Sequence, residues 1–561
     1  MGAEMLSSTR LFPQEVEVTM MTKPVKPTQV FYNAKIITLD QTHPEAEAMA
    51  LEGDQILAVG TNEKIKALAG EETETHDLEG QVVIPGFNDS HMHLINLGQG
   101  MDGVDLTKAR SISDLVRLGQ EYVDKNPDHA WILGRGFNDE TFETKALPTK
   151  ADLDQISKTQ PVFFTRVCGH ICVANSKALQ MARLDTTTPN PAGGGLDREM
   201  KTGEPTGVLR ENAIDLVRSL IPSPTIDDLK RVIRIASQAA ASLGLTSVQS
   251  NDLHGTRTLI NRLEAYGQLA ESGELPIRVE LQSTMSTPEE LKTYLEVRKT
   301  HPTLGTKVTL GPLKLFTDGS LGGRTAALTH PYADDPTTSG MAIFTQEELD
   351  ELVLMAAHAN LQVAIHAIGD RAMDMVMDSY EKAKAAEPGW TARPRIIHAQ
   401  ITRYDQLERM ARLGIVCDIQ PIFVPTDLHF VESRVGLESS KYSYAWKTMK
   451  ELGIHTAGGS DCPVESCNPL WGMHAAITRQ DQGRYPKEGW HPNERLTPQE
   501  ALALFTTGSA YAAHEEDIKG TLRAGKLADF VVLPEDPTKI DPEKLLTVKV
   551  TATYVGGQRV F

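Results

Sequence analysis

The apolar positions follow one rhythm at both ends of this chain and another in the middle. Val30 to Leu39 (VFYNAKIITL) reads as a strand. Ala48 to Val59 follows, with Gly53-Asp54 as a turn between two short apolar runs, which signals a hairpin. Gln81 to Ile84 is a further apolar run leading into Pro85-Gly86. Near the other terminus, Gly520 to Leu533 and Val548 to Val560 have the same strand-rich texture, the latter interrupted by Gly556-Gly557. A small β-sandwich domain assembled from residues 29–86 and 515–561 is the economical reading, because chain termini often lie close together. Residues 1–28 read as an N-terminal extension without the apolar core of a secretory signal.

The middle alternates helix and strand. Thr225 with Asp228 starts a helix whose apolar face is Leu229, Val232, Ile233 and Ala236; it stops at Gly244, before the strand Leu245 to Val248. Thr345 with Glu348 caps a second helix, with Leu349, Leu352, Val353 and Ala356 on one face, followed by the strand Gln362 to Ile365. Thr402, Leu407, Met410 and Leu413 predict a third helix, ended by Gly414 before Ile415 to Cys417. A fourth runs through Trp446 and Leu452 to Gly453, before Ile454 to Ala457. Three helices therefore end in Leu-Gly, where glycine accepts the left-handed turn that redirects the chain. Adding the segments ending near His93, Gln282, Lys314 and His398 makes eight strands, and eight βα units predict an α/β fold, a (β/α)₈ TIM-like barrel over residues 87–514. The interval after the first strand is too long for one connection, so residues 97–222 read as an insertion with its own structure, expected to cap the barrel mouth.

The length of 561 residues suits one large domain with smaller ones attached. Apolar residues at 40% and charged residues at 23% are ordinary globular usage. The net charge of −19 repels phosphate backbones and anionic surfaces, which argues against nucleic acid and membrane partners. No apolar run approaches the ~20 residues that cross a bilayer. Cys168, Cys172, Cys417, Cys462 and Cys467 lack the spacing of thiolate metal sites and read as thiols in a reducing compartment, so a cytoplasmic location is expected.

The candidate chemistry falls at the C-terminal ends of the proposed strands, the face where barrel enzymes place it. His91 and His93 are two apart in a strand, so both imidazoles reach the same side and one metal. Lys314 lies among apolar strand residues, which reads either as a buried pair with Asp318 or as a lysine carrying a carboxylate adduct that bridges two metals. His366 and His398 each end an apolar strand, as a core histidine or a metal ligand would. Asp461, after the last strand, reads as a helix cap or as a carboxylate that binds metal and moves a proton. Six such residues on one face of an independently predicted barrel favour the joint reading as a metal site.

The segments PGFNDSHMHL (85–94), LKLFTDGSLGGRTA (313–326), VAIHAIGD (363–370), RIIHAQ (395–400) and GGSDCPVE (458–465) resemble the metal-dependent amidohydrolase superfamily. Residues 161–179 and 203–213 are similar to the insertion motifs of the branch containing N-substituted formamide deformylase, although Cys168 stands where an acidic residue is expected. The resemblance implies one or two divalent metals, with zinc suiting the ligands but iron, nickel or manganese also suiting them. It implies His91 and His93 on one metal, His366 and His398 on the second, carboxylated Lys314 bridging, and Asp461 completing the first site. His170, Asp318 and Arg324 would line the substrate pocket, with loop salt bridges and caps as their alternative roles.

The function so implied is hydrolysis of a carbon–nitrogen bond in a small-molecule amide by metal-activated water. Asp461 acts as the proton shuttle and His170 steadies the developing oxyanion. An N-substituted formamide, cleaved to formate and an amine, is the first substrate class. Another amide, carbamate, urea or cyclic amide is the alternative, because the fold does not choose among them. A non-catalytic regulatory protein on the same fold would have lost ligands, and all six are present. Serine chemistry is weaker, since Ser460 and Ser466 lack a Gly-x-Ser-x-Gly setting. Barrels of this kind are often dimeric, so a homodimer is expected.

Overall fold

The computed structural model describes residues 26–166, 171–191, 194–301 and 303–561. Its centre is eight parallel strands: β1 (Phe87–Met92), β2 (Leu245–His254), β3 (Arg278–Thr284), β4 (Val308–Phe316), β5 (Val363–Ala367), β6 (Arg395–His398), β7 (Val416–Ile419) and β8 (Thr456–Gly458). They pair in sequence order, and the order comes round on itself where the Asp461 N–H donates to the His91 carbonyl at 2.8 Å. That closure depends on Gly459, because a Cβ there would lie 2.8 Å from the His91 nitrogen. The protein thus has the predicted α/β barrel, with helices such as Ile226–Ser242, Gln346–His358 and Asp370–Ala386 between the strands.

Local signals set these helices. Thr225 with Asp228 and Thr345 with Glu348 form reciprocal capping boxes, satisfying backbone donors that the first helical turn leaves open. Gly244, Gly414 and Gly453 have φ of +85°, +64° and +77°, the left-handed conformation expected of them. The third helix is shorter than its pattern predicts. It spans Tyr404–Leu413, and Thr402 lies outside it, its hydroxyl donating to the Tyr442 carbonyl at 2.6 Å.

The chain ends build two further sheets. One has four strands, including Gln29–Tyr32 and the hairpin of Ala48–Glu52 with Gln55–Gly60. The other has six, including Lys35–Ile37, Val82–Pro85, Phe530–Leu533 and Ala552–Val555. The single strand expected from Val30 to Leu39 is therefore two, divided at Asn33 (φ +56°) and assigned to different sheets. Between Gly520 and Leu533 only Phe530–Leu533 is strand. Phe31, Met49 and Ile56 of the first sheet share one buried cluster with Val83, Phe530 and Val532 of the second, so the two termini bury apolar surface together.

Residues after β1 form a separate six-stranded sheet that includes Ile132–Phe137, Val162–Arg166 and Pro205–Glu211, with its own buried cluster around Leu115, Phe137 and Phe164. His170 and Cys168 lie outside the described residues, as does most of the predicted 1–28 extension. The four described cysteines are buried. Among the described residues no helix is long and apolar enough to cross a membrane.

Candidate metal centre

His91 lies in β1, and His93 immediately follows it, at the start of the helix Leu94–Asp102. Both rings meet the same carboxylate: Asp461 Oδ1 is 3.4 Å from His91 Nε2 and 3.1 Å from His93 Nε2. One donor atom of each residue lies within 4.8 Å of the other two. The opposite ring nitrogens are engaged elsewhere, His91 Nδ1 with Gln282 Oε1 at 2.8 Å and His93 Nδ1 with the Asn251 carbonyl at 3.2 Å. Because those partners are acceptors, each Nδ1 carries a proton, and each Nε2 faces Asp461 either with a lone pair for a cation or, as in the His93 hydrogen bond, with a proton of its own. Two lone pairs facing a carboxylate oxygen repel unless a proton or a cation lies between them. The donor set therefore fits a divalent metal.

Burial sets the charges here. It pushes the His91 imidazole well below its ordinary value, so the ring is neutral. Burial also opposes charge on His93, but the hydrogen bond and charge of Asp461 override it and raise the ring. Asp461, which burial alone would raise, is held well below the usual carboxylate range by the His93 hydrogen bond and the neighbouring imidazoles. Its φ of +56° is uncommon outside glycine, as is the +81° of His398.

The remaining predicted ligands continue from this group. The rings of His91 and His398 are 5.9 Å apart and those of His398 and His366 4.5 Å. Strand register steps them along the mouth, pairing Phe316 with His366 and Ala367 with His398. His398 Nδ1 is tied to Gln420 Oε1 at 2.8 Å, and burial lowers its pKa to about 3. His366 Nε2 lies 3.1 Å from the Gly319 carbonyl and 3.3 Å from Asp318. Among the described residues, histidine, cysteine and carboxylate donors form a three-ligand group only at His91, His93 and Asp461.

Lys314 is fully buried and makes no ion pair among the described residues, so the pairing with Asp318 is not formed. Its Nζ donates to the Leu315 carbonyl at 3.3 Å and lies 3.6 Å from the Phe316 ring centre. Burial lowers its pKa to about 7. Asp318 accepts from the backbone N–H groups of Ala327, Ile368 and Gly369, joining the loops after β4 and β5. Arg324 pairs with Asp334 at 2.9 Å.

Several supporting residues escaped the sequence reading. Asp89 accepts from the Ser460 hydroxyl at 2.6 Å and from the His91 N–H at 3.1 Å, fastening β1 to the Asp461 loop. Gln282 in β3 and Gln420, just after β7, orient imidazoles through their side-chain amides, whereas Asn251 in β2 does so through its backbone carbonyl. A glutamine near the end of an apolar strand was the one signal for the first two, and a backbone contact leaves none.

The amidohydrolase family model Amidohydro_3 matches residues 74–561. A putative amidohydrolase of Bacillus subtilis, YtcJ, is 35% identical over 95% of this chain and 99% of its own length. The N-substituted formamide deformylase of Arthrobacter pascens is 26% identical over 94% of this chain and 96% of its own. Among solved structures, one described as an uncharacterized metal-dependent hydrolase from Pyrococcus furiosus superposes with a TM-score of 0.76 at 32% identity, covering 91% of this chain and 100% of that one.

Proposed function

The chain belongs to the amidohydrolase family, and on that premise we propose that it hydrolyses a carbon–nitrogen bond with a divalent metal, with N-substituted formamides as the first substrate class. The observation that carries this reading is the convergence of His91, His93 and Asp461 with their outer ring nitrogens already occupied.

A divalent cation held there would polarise a carbonyl and lower the pKa of water from 15.7 to about 7. Asp461, kept ionised by its imidazole neighbours, accepts the proton of the attacking water and returns it to the leaving nitrogen. That return matters, because an amine leaves poorly as an anion. His91 and His93, oriented by the Gln282 side chain and the Asn251 carbonyl, would hold the cation. Lys314, whose burial favours the neutral amine, is proposed to add to carbon dioxide and release a proton, leaving a carbamate anion suited to a second cation near His366 and His398. Zinc matches this donor chemistry. His170 and Arg324 are proposed as substrate contacts, Arg324 exchanging Asp334 for the substrate.

The test is formate release from a panel of N-alkyl and N-benzyl formamides by zinc-loaded protein, with a chelated control. Chelator-sensitive formate is the expected result. No formate from folded, metal-replete protein would remove the formamide reading, and inactivity on other amides, carbamates, ureas and cyclic amides as well would remove the hydrolase reading.

A further inference from the structure

The segments after β7 and β8 line a half-open cavity of about 530 Å³, whose walls include none of the proposed metal ligands. Ile422 and Thr426 line it from the first loop, Glu465 and Trp471 from the second, and Leu546 from the C-terminal segment. Two short links join it to the proposed ligands. Phe423, next to Ile422, stacks on His398 with ring centres 6.0 Å apart. Glu465 lies just beyond Asp461, whose carbonyl accepts from the Val464 N–H at 2.9 Å.

The charges lining this cavity do not balance. Asp481 is paired with His429 at 3.0 Å. Glu465 is half-buried and accepts from the Thr426 hydroxyl at 3.0 Å, but among the described residues no lysine or arginine forms an ion pair with it. Behind it, Asp427 accepts from the Tyr444 hydroxyl, and its carboxyl is pushed up to about 7 by burial and further by Glu465. Two neighbouring carboxylates share a partly dry environment with no lysine or arginine paired to either among the described residues, at a cost in desolvation and repulsion. Trp471 donates its indole N–H to the Leu546 carbonyl at 3.2 Å, so its polar atom is satisfied and its ring is left as an apolar wall. A carboxylate and an aromatic wall lining one cavity supply the chemistry that recognises an organic cation.

We infer that this cavity binds an organic ammonium group through Glu465 and Trp471. It would then select substrates bearing such a group, an extension that rests on the proposed hydrolysis. The direct test is calorimetric titration with benzylammonium and with neutral benzyl alcohol, on wild type and Glu465→Gln, with and without chelator. Benzylammonium should bind saturably, more tightly than benzyl alcohol, and about tenfold more weakly in Glu465→Gln, as expected for loss of one charge-assisted contact. Equal affinity of the two probes, or an unchanged affinity in a folded Glu465→Gln protein, would overturn the site. The two-probe comparison on wild type decides the point even if the variant fails to fold. Binding is read without turnover, so an absence of hydrolysis would remove the proposed function and leave the ammonium site standing.

Discussion

His91 and Gln282 are held together by a buried hydrogen bond of 2.8 Å between Nδ1 and Oε1. The amide is fixed at its other end as well, Nε2 donating to the Ser90 carbonyl at 3.2 Å. Gln282 thereby sets the tautomer of His91 and turns its Nε2 toward Asp461. Gln282→Leu should weaken metal affinity about 10–100-fold, the usual effect of losing the outer partner of a ligating histidine. Competition titration with a zinc chelator measures this, and an unchanged affinity would show that Gln282 does not orient the ligand.

Asp461→Asn keeps the shape of the side chain and removes its ability to take a proton. Turnover should fall by about 10²–10⁴, the range for general acid–base catalysis, while part of the metal content is retained. Metal analysis beside steady-state kinetics separates the two effects. Near-normal turnover would sink the shuttle role.

Arg395 is fully buried and grips Asp418 through Nε at 2.8 Å and Nη2 at 3.0 Å, while Nη2 also donates to the Ser90 carbonyl. Removing one partner strands a buried charge. Arg395→Met should cost about 3–5 kcal/mol in denaturant unfolding, and a second change of Asp418 to leucine should recover much of it. A loss below about 1 kcal/mol in the single variant would mean that Asp418 takes up a proton with little penalty.

Glu500 closes the capping box with Thr497 and pairs with Lys447 and Lys450 at 3.2 and 3.0 Å. Burial opposes its ionisation, but these hydrogen bonds prevail and lower its pKa from 4.5 to about 2. A carboxyl lowered on folding contributes stability above its unfolded pKa and loses it as pH falls through the folded one. The stability difference between wild type and Glu500→Gln should be full above about pH 5 and shrink toward pH 2. Thermal unfolding across that range tests it, and a pH-independent difference would refute the linkage.

Features that depend on a few neighbouring residues were legible in the sequence. The capping boxes at Thr225 and Thr345, the left-handed glycines at 244, 414 and 453, and the Gly53-Asp54 hairpin formed where the pattern placed them. The alternation of His91 and His93 was readable for the same reason, since a strand's side chains repeat every second residue. The break at Asn33 was not, because each half of VFYNAKIITL is a sound strand, and only the packing of two sheets assigns them to different partners.

The eight βα units and the residue types near the ends of their strands are readable from the amino-acid order alone. Long-range folding settles which nitrogen of each histidine faces Asp461, and that among the described residues Lys314 forms no ion pair and Glu465 has no lysine or arginine partner. Gln282 is 191 residues from His91, and Asn251 is 158 from His93. Helix caps and strand alternation draw their free energy from adjacent residues, whereas tautomer and protonation follow from burial and from partners brought together by the closed barrel.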